Sequence, residues 1–276
     1  MLPPVNPFIK LSSPATHEFW KIPVLFEDAH LLGLDKPAGL PTSPDRHDPG
    51  RPSLIQLLHA AIAAGKPWAR ERRLAYLMPG HRLEVDTSGV ILFAKTKSVL
   101  VALANLFGSG KPCKQYVVLV HGAPKQEHFE VDAGLAPHPA RPGMMRVEPR
   151  GDRRARTVFE VLERFSRDAL LKCEPLTERP HQIRVHLCHA GLRVVGDELY
   201  GGKPLWLSRL KQDYRLKEGR TERPLISRVA LHAERLTLAH PATGEAVTIA
   251  SLWPKDLKVA VKYLRQYGKR ADGVME

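Results

Sequence analysis

Apolar and polar positions divide the chain into short stretches rather than one long repeat. VLFED and LLGLDK, within residues 24–36, are short apolar runs either side of Asp28–His30 and predict two strands joined by a turn. Beyond the polar, proline-rich stretch 41–52, Leu54, Ile55, Leu57, Leu58, Ala61 and Ile62 fall at helical spacing. They predict a helix from Ser53 that stops near Gly65. A second helix is expected from a Ser98 cap to Phe107, ended by Gly108. QYVVLVHG, 115–122, is rich in β-branched residues and reads as a strand. TVFEVLERF and ALLKCEPL read as a strand pair around Ser166–Asp168, and RLTLAHPATGEAVTIA as a hairpin turning at 241–244. HQIRVHLCHAG, between Pro180 and Gly191, and the stretch from Pro254 to Tyr267 read as helices. Strands and helices mix without regular alternation, which favours an α+β fold. The first 23 residues, punctuated by prolines, are expected to be an irregular arm, with 24–276 forming one domain.

Charge sharpens this picture. The 276 residues hold 42 Lys and Arg against 29 Asp and Glu, a net +13, so a polyanionic partner is the first suspicion. Two segments concentrate the excess. One, 141–156, carries Arg141, Arg146, Arg150, Arg153, Arg154 and Arg156. The other, 203–223, carries seven Lys and Arg with Trp206 and Tyr214 interleaved. Both suit phosphate contacts, with the aromatics available for stacking, although solvated surface charge would look the same in sequence. Three cysteines exclude a disulfide scaffold, and none stands in a C-x-x-C spacing, so no structural zinc is expected. His186, Cys188 and His189 lie close in sequence but point in different directions on a helix, so no metal site is expected there either. No secretory signal is expected, and the longest apolar runs, such as GVILFA, are too short to span a bilayer. A reduced, cytoplasmic protein is the expectation.

The densest chemistry lies in HRLEVDTSGVILFAKT, 81–96, where His81, Arg82, Glu84, Asp86, Thr87 and Ser88 lead into an apolar strand. A polar cluster ahead of a buried strand is one way to present a rigid site. Taken alone, it is equally a turn held by side chain–backbone hydrogen bonds.

HRLEVDTSG resembles the HRLD-x-x-TSG signature of the RluA-type RNA pseudouridine synthases. Five further stretches resemble that family's motifs in the family's order. They are DKPAGLPTSP (35–44), KQYVVLVHG (114–122), ARTVFEVLERF (155–165), TERPHQIRVHLCHAGLRVVGDELYG (177–201) and RVALHAERLTLAHPATGE (228–245). The resemblance implies a bent, mixed, mainly antiparallel sheet flanked by helices, without the N-terminal S4 domain of some members. It implies RNA as partner, in the form of rRNA or tRNA, with no cofactor and no metal, and a monomer is expected. It also implies isomerisation of a uridine flipped out of its RNA: the glycosidic bond breaks, the uracil turns, and C5 is joined to C1′. By position, Arg82 would enter the space the base leaves, and His81 would stand beside it at the RNA. Tyr116 would pack on the flipped base, and Arg184 would pair with the catalytic carboxylate and keep it ionised. Arg153, Arg154 and Arg156 would contact phosphates.

The pattern departs from the family at the position that matters most. The catalytic aspartate of HRLD is replaced here by Glu84, one methylene longer, and Asp86 lies two residues on. Where the family has T-G-R-T-H, this chain has Thr177, Glu178, Arg179, Pro180 and His181. Two function classes therefore stay open on sequence: an isomerase with Glu84 as its carboxylate, or a catalytically lapsed RNA-binding protein on the same fold.

Overall fold

The computed structural model describes residues 7–45, 48–148 and 154–268, and the chain gathers into two compact units. The first holds residues 1–114 and 233–252, and the second 115–232 and 253–276.

In the first unit, strands β1 (Phe8–Ser12), β2 (Phe19–Glu27) and β3 (Leu31–Lys36) form consecutive antiparallel pairs. The expected arm is thus a hairpin: Phe8 to Ser12 lie opposite Pro23 to Phe19, with Ile9, Leu11 and Ile22 buried. Apolar positions that alternate outweigh the prolines: Pro14 lies in the connecting turn, and Pro23 is accommodated within β2. Between β2 and β3, Asp28 Oδ1 accepts the N–H groups of His30 and Leu31, both at 2.7 Å, and makes the expected turn. Helix α1 (Leu54–Ala63) begins at Ser53, whose side chain and that of Gln56 cap each other's backbone, an arrangement that contributes about 1 kcal/mol. The short helix α2 (Pro67–Glu71), which the sequence reading lacks, follows with Pro67 in its first turn.

Strand β4 (Met78–Pro79) pairs with β5 (Ser88–Ala94), and β5 pairs with β3 from Lys36↔Gly89 to Leu31↔Ala94. Every residue of β5 is buried. Gly89 is required here: its φ is +114°, and a Cβ would lie 2.2 Å from the carbonyl oxygen of Ala233. Helix α3 (Lys97–Gly108) is capped two residues earlier than expected, because Thr96, not Ser98, accepts the Val99 N–H.

In the second unit, β6 (Cys113–His121) crosses from the boundary and pairs with β11. Further along come β7 (His128–Asp132), the hairpin of β8 (Leu135–Pro137) with β9 (Met145–Val147), then β10 (Arg156–Arg164) and β11 (Asp168–Pro175). The sheet order is β6-β11-β10-β7, and each of these neighbours is antiparallel. Helix α4 (Gln182–His189) is buried from Gln182 to Leu187; β12 (Arg193–Val194) pairs with β6, and the short α5 (Leu207–Leu210) follows.

The chain then returns to the first unit through β13 (Leu231–Ala239), whose partner β14 (Ala246–Ala250) completes the expected hairpin. Helix α6 (Lys255–Tyr267) closes the second unit, burying Leu257, Ala260, Val261 and Leu264 in a core with Val117 to Val120, Phe159 and Leu171. The class is α+β, with mixed, mainly antiparallel sheet flanked by helices, as the sequence led us to expect. No helix among the described residues is long and apolar enough to cross a membrane.

Candidate active site

In the first unit the polar cluster forms the loop 80–87 between β4 and β5, and its odd-numbered residues are tied down. His81 Nε2 accepts the Leu92 N–H at 3.1 Å. Leu83 is held on both sides of its peptide by one hydroxyl: Thr42 Oγ1 donates to the Leu83 carbonyl at 2.9 Å and accepts the Leu83 N–H at 3.2 Å. The Val85 carbonyl accepts both the Gly39 N–H at 2.8 Å and the Lys36 ammonium at 3.1 Å. Lys36 is fully buried and also donates to the carbonyls of Pro37 and Leu40, so its charge is solvated by backbone oxygen. A further turn bond runs from the Thr87 N–H to the Glu84 carbonyl.

Leu83 and Val85 flank Glu84, and Val85 and Asp86 form the turn that the Thr87–Glu84 bond closes. Anchoring Leu83 and Val85 to the scaffold therefore fixes the stations of Arg82, Glu84 and Asp86. Arg82 is exposed, and Glu84 and Asp86 are half-buried. DKPAGLPT, distant in sequence, is the strap that holds the loop through Lys36, Gly39 and Thr42.

The His81 ring packs 5.1 Å from Phe107 and uses Nε2 to accept a backbone proton, so the imidazole anchors the loop. Burial first, and the nearby Lys114 ammonium second, hold its pKa well below the usual imidazole value, against a smaller opposing bond to the Arg82 backbone. A neutral ring offers no cation to a phosphate.

In the second unit Arg184 sits on α4, 8% exposed, and its Nε and Nη2 each reach an oxygen of Asp197 at 2.7 Å. Asp197 itself is 1% exposed. This forked pair is well matched for a buried ion pair. The guanidinium also lies over the Tyr200 ring, 5.0 Å from its centre. The Tyr200 hydroxyl accepts the Met145 N–H at 2.9 Å and shares a hydrogen bond with His181 Nδ1 at 2.8 Å, tying the β8–β9 hairpin to the start of α4. His181 adopts a left-handed backbone, φ 56°, as the residue before the helix.

Asp197 and Tyr200 were not singled out from sequence, although both lie in the GDELYG stretch that resembled the family block; the signal was present but carried no assigned role. His186, suspected for a metal only to be set aside, instead donates from Nε2 to the Ala133 carbonyl and accepts at Nδ1 from the Thr157 hydroxyl. Burial lowers its pKa. Among the described residues no group of His, Cys, Asp and Glu is arranged to hold a metal ion.

Tyr116 stands on β6 opposite Cys173 of β11, half-buried at the edge of the core. Of the three arginines assigned to phosphates, Arg153 lies outside the described residues. Arg154 is exposed. Arg156 is already engaged: Glu130 accepts from its Nε at 2.5 Å and its Nη2 at 2.7 Å. The ion pair lowers the Glu130 pKa and raises that of Arg156. In the same segment Arg146 pairs with Glu148. The first basic segment therefore presents less unpaired charge than its sequence suggests.

Comparison with known proteins places the chain in a family. A family model described as RNA pseudouridylate synthase matches residues 30–189, a span that includes the loop 80–87, Tyr116 and Arg184. The chain is 36% identical over 248 residues to a ribosomal large subunit pseudouridine synthase D of Xanthomonas campestris pv. campestris, covering 90% of this chain and 71% of the relative. It is 34% identical over 244 residues to a ribosomal large subunit pseudouridine synthase C of Escherichia coli K12, covering 88% and 70%. Among solved structures, human RNA pseudouridylate synthase domain containing 4 superposes with a TM-score of 0.64 at 22% identity, over 88% of this chain and 92% of that one. Human RNA pseudouridylate synthase domain containing 1 gives 0.63 at 20%, over 90% and 96%. These two share the fold. Motif order, sequence identity and family match converge, and the chain belongs to the RNA pseudouridylate synthase family.

Proposed function

We propose that this isomerase converts a uridine of large-subunit ribosomal RNA to pseudouridine, with Glu84 as its carboxylate. The observation that carries the reading is the strap on loop 80–87, which holds Glu84 at a fixed station by anchoring the residues on either side of it, Leu83 and Val85. A rigidly held carboxylate suits a group that must meet one atom of the substrate. In this reading Arg82 occupies the space vacated by the flipped base, Tyr116 packs on the uracil, and Arg184 keeps the carboxylate ionised. Asp197 and Tyr200 orient the Arg184 guanidinium. Arg153 and Arg154 contribute to phosphate binding, and Arg156 does so by exchanging Glu130 for phosphate. The protein acts as a monomer in the cytoplasm, with residues 24–276 as its catalytic region. The relatives named for the large ribosomal subunit support the choice of ribosomal over transfer RNA.

Mass-spectrometric mapping of pseudouridine in cellular RNA, with and without this gene, tests the reading. Loss of one or a few pseudouridines from large-subunit rRNA is expected. A loss confined to tRNA would move the substrate, and no change at any uridine would return the chain to RNA binding without chemistry.

A further inference from the structure

The sequence reading took α6 as a closing helix and gave it no role. Its three faces differ sharply. Leu257, Ala260, Val261 and Leu264 are buried in the second unit's core. Lys255, Lys258, Lys262 and Arg265 are exposed, and at 100° per residue they fall on one stripe within about 80° of arc. At 1.5 Å per residue the stripe runs about 15 Å along the axis.

Between stripe and core lie Tyr263 and Tyr267, stacked with their centroids 6.1 Å apart and planes 12° from parallel. Each ring carries an ammonium: Lys262 lies 6.0 Å from the centre of Tyr263, and Lys211, which follows α5, lies 5.8 Å from the centre of Tyr267. The rings thus hold two cations in place at the helix surface.

The acids nearest in sequence and space are largely spent elsewhere. Asp256 takes the Arg228 guanidinium through both oxygens, and Glu163 takes Arg265. Asp213, two residues from Lys211, is exposed. Among the described residues, Lys211, Lys255, Lys258 and Lys262 have no carboxylate within ion-pair distance. This contrasts with the first basic segment, where Arg146 and Arg156 are already paired.

We infer that this face of α6, extended by Lys211, is a second RNA-contact surface that binds the phosphate backbone without reading sequence. It rests on the reading of the chain as an RNA-modifying enzyme and adds a docking surface to it. The ring faces are covered by ammonium groups, so phosphates rather than stacked bases are the ligand. Three unpaired ammonium groups along the stripe, with Lys211 beside Tyr267, complement a polyanion and suit neither an apolar nor a basic partner. A helix packed in the core by its opposite face presents them at little cost in order.

The test uses the full chain and an in vitro transcript of large-subunit rRNA, with binding measured across a salt series. The double variant Lys258→Gln/Lys262→Gln should flatten the slope of log K against log salt by about 1.4, two contacts at roughly 0.7 each, and weaken binding roughly ten- to thirtyfold near 0.1 M salt. Lys258→Arg/Lys262→Arg should bind as the parent does. Because binding is read without turnover, the result stands whether or not the transcript is isomerised. If it is isomerised, the rate at saturating RNA should stay within about twofold in the glutamine variant, which lies outside the catalytic machinery. An unchanged slope in the glutamine variant, or equal weakening by arginine, overturns the inference. Loss of sedimentation with intact ribosomal particles but not with deproteinised RNA would assign the face to a protein instead.

Discussion

The two units hold their functional residues by opposite means. In the first, the chemistry-bearing loop is fixed through its backbone: a hydroxyl, an ammonium and an imidazole reach out from the scaffold to peptide groups at Leu83, Val85 and Leu92. In the second, side chains fix side chains, through the forked Arg184–Asp197 pair and the Tyr200–His181 bond. Charge follows the same division. The first unit has 15 Lys and Arg against 11 Asp and Glu, a net +4, and the second has 27 against 18, a net +9. One unit presents a carboxylate by controlling the path of the chain; the other presents a cation by controlling the direction of its side chain. A carboxylate held through its backbone can be lengthened from aspartate to glutamate without losing its anchor, whereas an ion pair tolerates no change in either partner.

That contrast can be broken first where charge is buried. Asp197→Ala removes the forked partner of the buried Arg184 guanidinium, and a loss of about 3–5 kcal/mol is expected in urea denaturation. A loss below about 1 kcal/mol would mean that water already reaches the pair. The backbone strap is expected to give a smaller stability effect and a larger catalytic one. Thr42→Val keeps the shape but removes the hydroxyl that serves both sides of Leu83, at a cost of about 1–3 kcal/mol. The displaced Glu84 should slow turnover roughly ten- to a hundredfold at saturating RNA, with RNA affinity unchanged and Thr42→Ser restoring the rate. Parallel losses of affinity and rate would make Thr42 a general structural residue.

The smallest effect is the most specific. The folded-state pKa of His81 lies below its unfolded value of 6.5, so its contribution is complete above that pH and is lost as pH falls below it. Protonation at Nε2 removes the acceptor for the Leu92 N–H. Thermal stability of the parent should decline below pH 6.5 by no more than about 1.4 kcal/mol per pH unit from this group. His81→Gln, whose amide oxygen can accept the same bond, should decline less steeply over that interval. Equal pH slopes in the two proteins would remove the anchor role.

Much of this arrangement was legible in the sequence, and the residues that escaped it share a cause. Turn chemistry at Asp28, the Ser53 cap, Gly65 and the β10–β11 alternation each act over a few residues, and each formed as expected. The six motifs placed the loop, β6 and α4 correctly along the chain. What escaped depended on distant partners. The β1–β2 hairpin is stabilised by burial of Ile9, Leu11 and Ile22, which local propensity does not register. Thr42 meets Leu83 across 41 residues, and Asp197 meets Arg184 from a turn beyond the helix. The polarity of His81 is visible in sequence and its burial is not.

The central claim is that Glu84 is the group that acts on the uridine. Its direct measurement is tritium release from large-subunit rRNA labelled at C5 of uridine, by the parent and by Glu84→Gln and Glu84→Asp. The amide keeps the shape but cannot act as a carboxylate nucleophile or base. Glu84→Gln should therefore release no tritium while binding RNA nearly as the parent does. Glu84→Asp, about one bond short in a loop strapped for glutamate, should turn over more slowly than the parent. Equal, robust release by the parent and Glu84→Gln would contradict the claim and turn attention to Asp86. A silent parent with activity gained in Glu84→Asp would show a lapsed enzyme that kept its RNA-binding fold.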